Sequence, residues 1–231
     1  MKTIGMIGGM SWESSIEYYR MINELVRERL GGLHSAKSVM VSVDFAEIET
    51  LQRKGQWEEA ARFMVEAARR VEKGGADVVM ICTNTMHKMA AEVEAGIRIP
   101  LLHIADATGE KIKARGLGKV GLLGTRFTME EDFYRGRLIR GYGLDVIIPG
   151  ETDRQTVHRV IYEELCRGLI RPDSKAEYTR IIDRLVGRGA EGIILGCTEI
   201  GLLVEEKDGH IPLFDTTRIH AEAGAAYALK P

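Results

Sequence analysis

Gly75-Ala76-Asp77-Val78-Val79-Met80-Ile81-Cys82-Thr83-Asn84-Thr85 returns later in the chain as Gly189-Ala190-Glu191-Gly192-Ile193-Ile194-Leu195-Gly196-Cys197-Thr198-Glu199. Each copy is a small-residue turn, an apolar run that reads as a buried strand, and a cluster of small polar side chains at its end. The opening Ile4-Gly5-Met6-Ile7-Gly8-Gly9 has its own partner in Val120-Gly121-Leu122-Leu123-Gly124-Thr125. The chain is therefore expected to consist of two similar halves, with two polar strand ends facing one cleft. The alignment sets Thr83 opposite Cys197, so the two halves carry related but unequal chemistry.

Working outward, short apolar runs alternate with helical patterns. Strands are expected at 3–7, 39–43, 78–82, 101–104, 120–123, 144–148 and 193–195. Helices are expected at 12–30, 56–73, 87–95, 106–115, 128–140, 152–166, 174–188 and 216–229. Unbroken Val/Ile/Leu/Met runs suit parallel strands covered on both faces. Alternation of strand and helix predicts an α/β protein with parallel sheets. Arg98-Ile99-Pro100 and His210-Ile211-Pro212 mark the expected passages between halves. They give a first α/β domain of residues 1–99 plus 212–231 and a second of residues 100–211. In open α/β sheets ligands bind beyond the carboxyl ends of the strands. Gly8-Gly9-Met10-Ser11, Thr83-Asn84-Thr85, Gly124-Thr125 and Cys197-Thr198-Glu199 all fall at such ends.

Composition narrows the classes. A net charge of -2 argues against nucleic acid or an anionic membrane as partner. No apolar run approaches the ~18 residues of a membrane span. The N-terminal Met1-Lys2-Thr3-Ile4-Gly5 is strand-like and lacks the apolar core of a signal peptide, so a cytoplasmic location is the expectation. Three scattered cysteines make neither a disulfide framework nor a metal site.

Gly5-x-x-Gly8-Gly9 is not the dinucleotide fingerprint, and nothing matches a phosphate-binding loop. Two readings of Gly8-Gly9 stay open: a tight strand-to-helix turn, or a backbone left clear for a small anion. Cys82 reads as a buried small hydrophobe, and Cys166 as a helical residue of structural role. Cys197 follows a glycine at a strand end. A thiol titrates near ~8.5, and N–H groups at the start of a following helix are expected to lower that value by one unit or more. Cys197 would then be a usable base, with Thr198 and Glu199 placed to orient a substrate ammonium. Thr83 is a poor base, because an aliphatic hydroxyl is a far weaker acid than a thiol. The hydroxyls and amide of Thr83-Asn84-Thr85 suit hydrogen bonding to a carboxylate, or capping of the helix expected near His87.

Thr83-Asn84-Thr85-Met86-His87 resembles the Cys-Asn-Thr-x-His motif of the aspartate/glutamate racemase superfamily. Gly196-Cys197-Thr198-Glu199 is similar to its second motif, and Gly8-Gly9-Met10-Ser11-Trp12-Glu13-Ser14 resembles the N-terminal signature of the aspartate-racemase branch. The resemblance covers essentially the whole chain. It implies two pseudo-symmetric α/β domains with the active site in the cleft between them. It also implies racemisation of an amino acid without pyridoxal phosphate, metal or other cofactor, and a homodimer. In that family two facing cysteines exchange the α-proton. By resemblance, Thr83 and Cys197 are the catalytic pair here. Asn84, Thr85 and backbone N–H groups would hold the α-carboxylate, with Met10 and Thr125 bordering the pocket.

The sequence departs from the pattern twice. Thr83 stands where the first cysteine is expected, which implies strongly asymmetric treatment of the two enantiomers. Gln52 and Cys166 stand where aspartate-specific relatives carry an arginine and a lysine, which shifts the expected substrate toward a broader or different amino acid; Arg53 or Arg167 would be the compensating cations. Two other readings remain open at this point. One is a single-cysteine decarboxylase, isomerase or lyase working through an enolate-like intermediate. The other is a non-catalytic binder of small carboxylates.

Overall fold

A computed structural model describes residues 1–205 and 211–230. The chain divides into two units, Met1–Ile104 with His220–Pro231, and Ala105–Ile219. Of the expected passage at His210-Ile211-Pro212, His210 lies outside the described residues.

The first unit is built from β1 (Ile4–Gly8), α1 (Trp12–Leu30), β2 (Ser38–Ser42), α2 (Phe45–Lys54), α3 (Trp57–Lys73), β3 (Val78–Ile81), a 3-10 turn (Thr85–Met89), α4 (Ala90–Gly96) and β4 (Leu101–Leu102). Its four parallel strands lie in the order β2-β1-β3-β4. The period-2 alternation of strand side chains divides the core between the two faces of the sheet. Ile7, Val79 and Ile81 pack with Met64, Ala67, Ala68 and Val71 of α3. Ile4, Met6, Met80 and Cys82 pack on the other face with Tyr18 and Ile22 of α1, and with Ala221 and Ala228. Cys82 is fully buried there, as a small hydrophobe would be.

The second unit repeats the plan. It contains α5 (Ile104–Ala114, whose first residue belongs to the first unit), β5 (Lys119–Gly124), α6 (Arg126–Glu130), α7 (Asp132–Tyr142), β6 (Asp145–Ile147), α8 (Glu151–Glu163), α9 (Pro172–Gly187), β7 (Ile193–Gly196) and β8 (Leu213–Asp215), with 3-10 turns at Leu165–Arg167 and Ile200–Leu202. The strand order is β6-β5-β7-β8, again all parallel. α10 (Thr216–Ala228) begins in this unit and ends in the first. The α/β class with two like-wound parallel sheets is as the sequence predicts. Gly5 and Gly121 occupy matching places. A Cβ on Gly5 would strike Val71 of α3, and one on Gly121 would lie 2.9 Å from Leu185 of α9. The same helix-to-strand approach thus recurs in both sheets.

Several elements differ from expectation. The helix expected at 128–140 is two helices, because Glu131 takes an extended backbone between them. The helix expected from His87 is a 3-10 turn followed by a short α4. Cys166 sits in the 3-10 turn after α8 rather than within a helix. Two elements are additional. α2 is capped by Asp44, whose carboxylate accepts from the Ala46 amide at 3.0 Å, and ends at left-handed Gly55. β8 is only three residues long. No helix among the described residues is long and apolar enough to cross a membrane.

Candidate active site

In each sheet the strand order reverses beside the first strand: β2 lies on one side of β1 and β3 on the other, as do β6 and β7 around β5. Such switch points, at the carboxyl ends, are where open α/β sheets bind ligands. Register fixes which residues meet there. In the first unit Ile7 pairs with Ile81; in the second Leu123 pairs with Leu195 and Gly124 with Gly196. Counting on from those pairs, Cys82 corresponds to Gly196 and Thr83 to Cys197. Each unit alone therefore places its polar residue just past the strand, Thr83 two residues beyond β3 and Cys197 one beyond β7, with a 3-10 turn following.

At the first strand end, Thr83 is half-buried, while Asn84 and Thr85 are buried. The Thr83 amide donates to the Ile81 carbonyl at 2.8 Å, which turns the chain out of the strand. The Asn84 side chain makes no capping bond to the turn that follows, so the capping reading gives way. Gln52 reaches this place from α2: its Nε2 donates to Met86 Sδ at 3.2 Å. Arg53, the compensating cation, is exposed and pairs with Glu49 on its own helix. Met10 is buried in the core cluster with Ile7 and Ile81.

The glycines beside them favour the tight-turn reading over the anion reading. Gly9 has φ +92°, and a Cβ there would run into the Val43 carbonyl. Its N–H is already taken by Ser15 Oγ at 2.8 Å. Ser15 Oγ and Ser14 Oγ both donate to the Ser11 carbonyl, at 2.9 and 3.1 Å.

At the second strand end, Cys197, Thr198 and Glu199 are all buried. Cys197 Sγ donates to Glu199 Oε2 at 2.9 Å, and Thr198 Oγ1 donates to the same oxygen at 2.8 Å. The oxygen expected to receive a substrate ammonium thus already accepts from two neighbours. The Cys197 thiol is held well above its usual range, first by burial and then by the negative Glu199. The lowered value expected from the sequence does not occur, for a physical reason. The element after Cys197 is a 3-10 turn of three residues, too short to present a helix N-terminus. The arrangement holds a neutral thiol against a carboxylate that can take its proton.

Thr125 follows β5 and caps α6, accepting from the Thr128 amide at 3.3 Å. One part of this site escaped the sequence reading. β8 runs beside β7 and ends at Asp215, with Thr216-Thr217 opening α10 directly after it. Thr216 Oγ1 donates to the Leu195 carbonyl at 2.8 Å, and Asp215 accepts from the Thr217 amide at 2.9 Å. A short apolar run ending in small polar residues, Leu213-Phe214-Asp215-Thr216-Thr217, has the pattern of the other strand ends and was the available signal.

The same chain matches the Asp/Glu/Hydantoin racemase family model over residues 7–224. A crystal structure from Yersinia pestis carrying a provisional Asp/Glu racemase assignment is 57% identical, covers 100% of both chains and has a TM-score of 0.92. An aspartate racemase homologue from Pyrococcus horikoshii OT3 is 34% identical over 100% of both chains, with a TM-score of 0.85. The broad specificity amino-acid racemase RacX of Bacillus subtilis is 24% identical over 170 residues, which is 72% of this chain and 71% of that protein. Matching sheets, matching strand-end motifs and a family match across nearly the full length lead to one conclusion: the chain belongs to the Asp/Glu/hydantoin racemase family.

Proposed function

We propose that this protein is a cofactor-independent amino-acid racemase in which Cys197 and Thr83 handle the two proton steps. The observation that carries the reading is the shared register, which gives the two residues equivalent strand-end positions in two sheets of one strand order. Cys197 is the base. Its thiol proton passes to Glu199 Oε2, leaving a thiolate beside a neutral carboxylic acid with the local charge unchanged. The thiolate then removes the α-proton, and the carbanion is stabilised as an enolate-like species. Asn84, Thr85 and backbone N–H groups supply donors to its carboxylate, with Thr125 at the pocket border, and each such donor is worth about 3 kcal/mol by analogy with an oxyanion hole. Met10 borders the substrate.

Thr83 returns a proton from its hydroxyl to the opposite face of Cα and recovers one from solvent, while Glu199 gives the proton it took from Cys197 back to solvent, which closes the cycle. A thiol is a far stronger acid than an alcohol, so the reverse abstraction by Thr83 is slow. The enzyme therefore exchanges mainly the α-hydrogen of the enantiomer that presents it to Cys197. Gln52, a neutral amide where aspartate-specific relatives carry a cation, favours an amino acid other than a strictly acidic one, and the RacX likeness points the same way.

The test is incubation of L- and D-amino acids in deuterated water without added cofactor, followed by chiral chromatography and mass analysis. Rapid exchange of one enantiomer with slow inversion is the expected result. Equal rates for both enantiomers would remove the asymmetry, and deuterated decarboxylation products would replace racemisation by the lyase reading. Binding that persists without turnover in the wild type and in Cys197→Ala would leave only a binding protein. Thr83→Cys is expected to raise α-hydrogen exchange of the slow enantiomer, and inversion in both directions with it, by about tenfold or more, since it restores a competent base.

A further inference from the structure

Three histidines are buried in the first unit and take no part in the chemistry above: His87, His103 and His220. The His87 ring stands 4.5 Å from that of His103 and 5.8 Å from that of His220. Among the described residues no group of three or more His, Cys, Asp or Glu is arranged to hold a metal ion. What His87 and His220 hold is main chain.

His87 Nδ1 lies 2.8 Å from the Thr83 carbonyl oxygen, and the Ile104 amide donates to His87 Nε2 at 3.2 Å. A carbonyl only accepts and an amide N–H only donates. The ring therefore carries its proton on Nδ1 and none on Nε2. His220 shows the opposite tautomer: Nε2–H donates to the Leu102 carbonyl at 2.9 Å, and Nδ1 accepts from the Tyr18 hydroxyl at 2.8 Å. Ile104 is the residue at which the chain leaves the first unit, and His220 the residue at which it returns. His87 thus joins the strand end that bears Thr83 to the exit point, and His220 joins the exit segment to the re-entry.

We propose that His87 is a positioning residue for Thr83: its two ring nitrogens lock the Thr83 carbonyl to the Ile104 amide and so hold the turn that carries the proton-returning hydroxyl. The proposal rests on the racemase reading. It concerns only the second proton step, because abstraction belongs to Cys197 in the other unit. Replacing His87 should therefore uncouple inversion from exchange. Exchange with retention does not need Thr83, whereas inversion does.

The experiment measures both products from the fast enantiomer in deuterated water, for the wild type, His87→Ala, His87→Asn and Thr83→Ala. In His87→Ala the ratio of inversion to retained exchange should fall about tenfold or more, the scale of loss expected from a small misplacement of a reacting group. Retained exchange should fall several-fold less than inversion, since Asn84 and Thr85 on the same turn serve both steps whereas Thr83 serves only the second. His87→Asn keeps a donor toward Thr83 and should recover most of the ratio. In the Thr83→Ala background, His87→Ala should change the ratio no further. Inversion and exchange falling together would show a merely structural residue and overturn the proposal, as would an unchanged ratio. If His87→Ala does not fold, the His87→Asn ratio decides: a value at wild-type level in Asn and a lower one in His87→Gln supports the lock, and equal values overturn it. Wild-type protein that exchanges no amino acid at Cα overturns the racemase reading itself, an outcome distinct from any of these.

Discussion

At the scale of single residues, the decisive contact is between Cys197 and Glu199. Proximity to a carboxylate and loss of solvent both disfavour a thiolate, and both operate here. The site resolves this by offering the proton an acceptor 2.9 Å away. Glu199→Gln separates the two effects. Removing the negative charge should lower the Cys197 pKa, visible as earlier thiolate absorbance on alkaline titration. Removing the proton acceptor should cut turnover by ~100-fold, a usual loss for a general base. An easier thiolate together with a slower enzyme is the expected pair. A variant as fast as wild type would show that the thiol proton leaves by another route. The sequence made Cys197 and Thr83 legible as a pair, because the repeat aligns them. It did not make the pKa direction legible, since that depends on how deeply the strand end is buried and on a turn only three residues long.

At the scale of elements, the hydrophobic runs revealed most strands because parallel strands bury both faces and leave little polar interruption. β8 went unread because three residues carry too little periodicity, and its polar end lay hidden with it. α2 went unread although Asp44 and Gly55 bracket it, since its exposed charged face masks the apolar positions Ile48 and Leu51. The repeated glycines Gly5 and Gly121 give the clearest energetic test. Adding a methyl at either place forces α3 or α9 away from its sheet. Gly5→Ala and Gly121→Ala should each cost roughly 1–3 kcal/mol, the range for overpacking. Gly141→Ala, in α7 with nothing within 4 Å, is the control and should stabilise by roughly 0.5–1 kcal/mol through helix propensity. Urea unfolding of the three variants checks this. A neutral Gly121→Ala would mean that the second sheet tolerates a separation the first does not, and the two units would not be energetic equivalents.

At the scale of the whole molecule, the same buried groups set how stability depends on pH. The thiols of Cys82 and Cys197 are both held above the ordinary thiol range, by burial in each and by Glu199 as well in the second. The unfolded chain releases these protons near ~8.5 while the folded chain keeps them. The folded state then binds more protons, so the stabilisation is complete below ~8.5 and declines as pH rises, by about 1.4 kcal/mol per pH unit for each thiol. His220 acts at the other end. Burial, and then His87, hold its pKa down to about 3. An unfolded histidine binds a proton near ~6.5, so stability is complete above that pH and falls toward the folded value at a similar slope per group. Unfolding free energy should therefore form a plateau between about 6.5 and 8.5 with a falling limb on each side. Urea titrations across the range measure it. Cys82→Ala should flatten the alkaline limb by one thiol's share, and His220→Asn should flatten the acid limb. Each limb draws on both units: on the acid side His220 and also His158, held down by burial and then by Arg126, and on the alkaline side one thiol from each. A stability that stayed level from about pH 5 to pH 10 would mean that these groups titrate in the folded protein as they do in the unfolded chain.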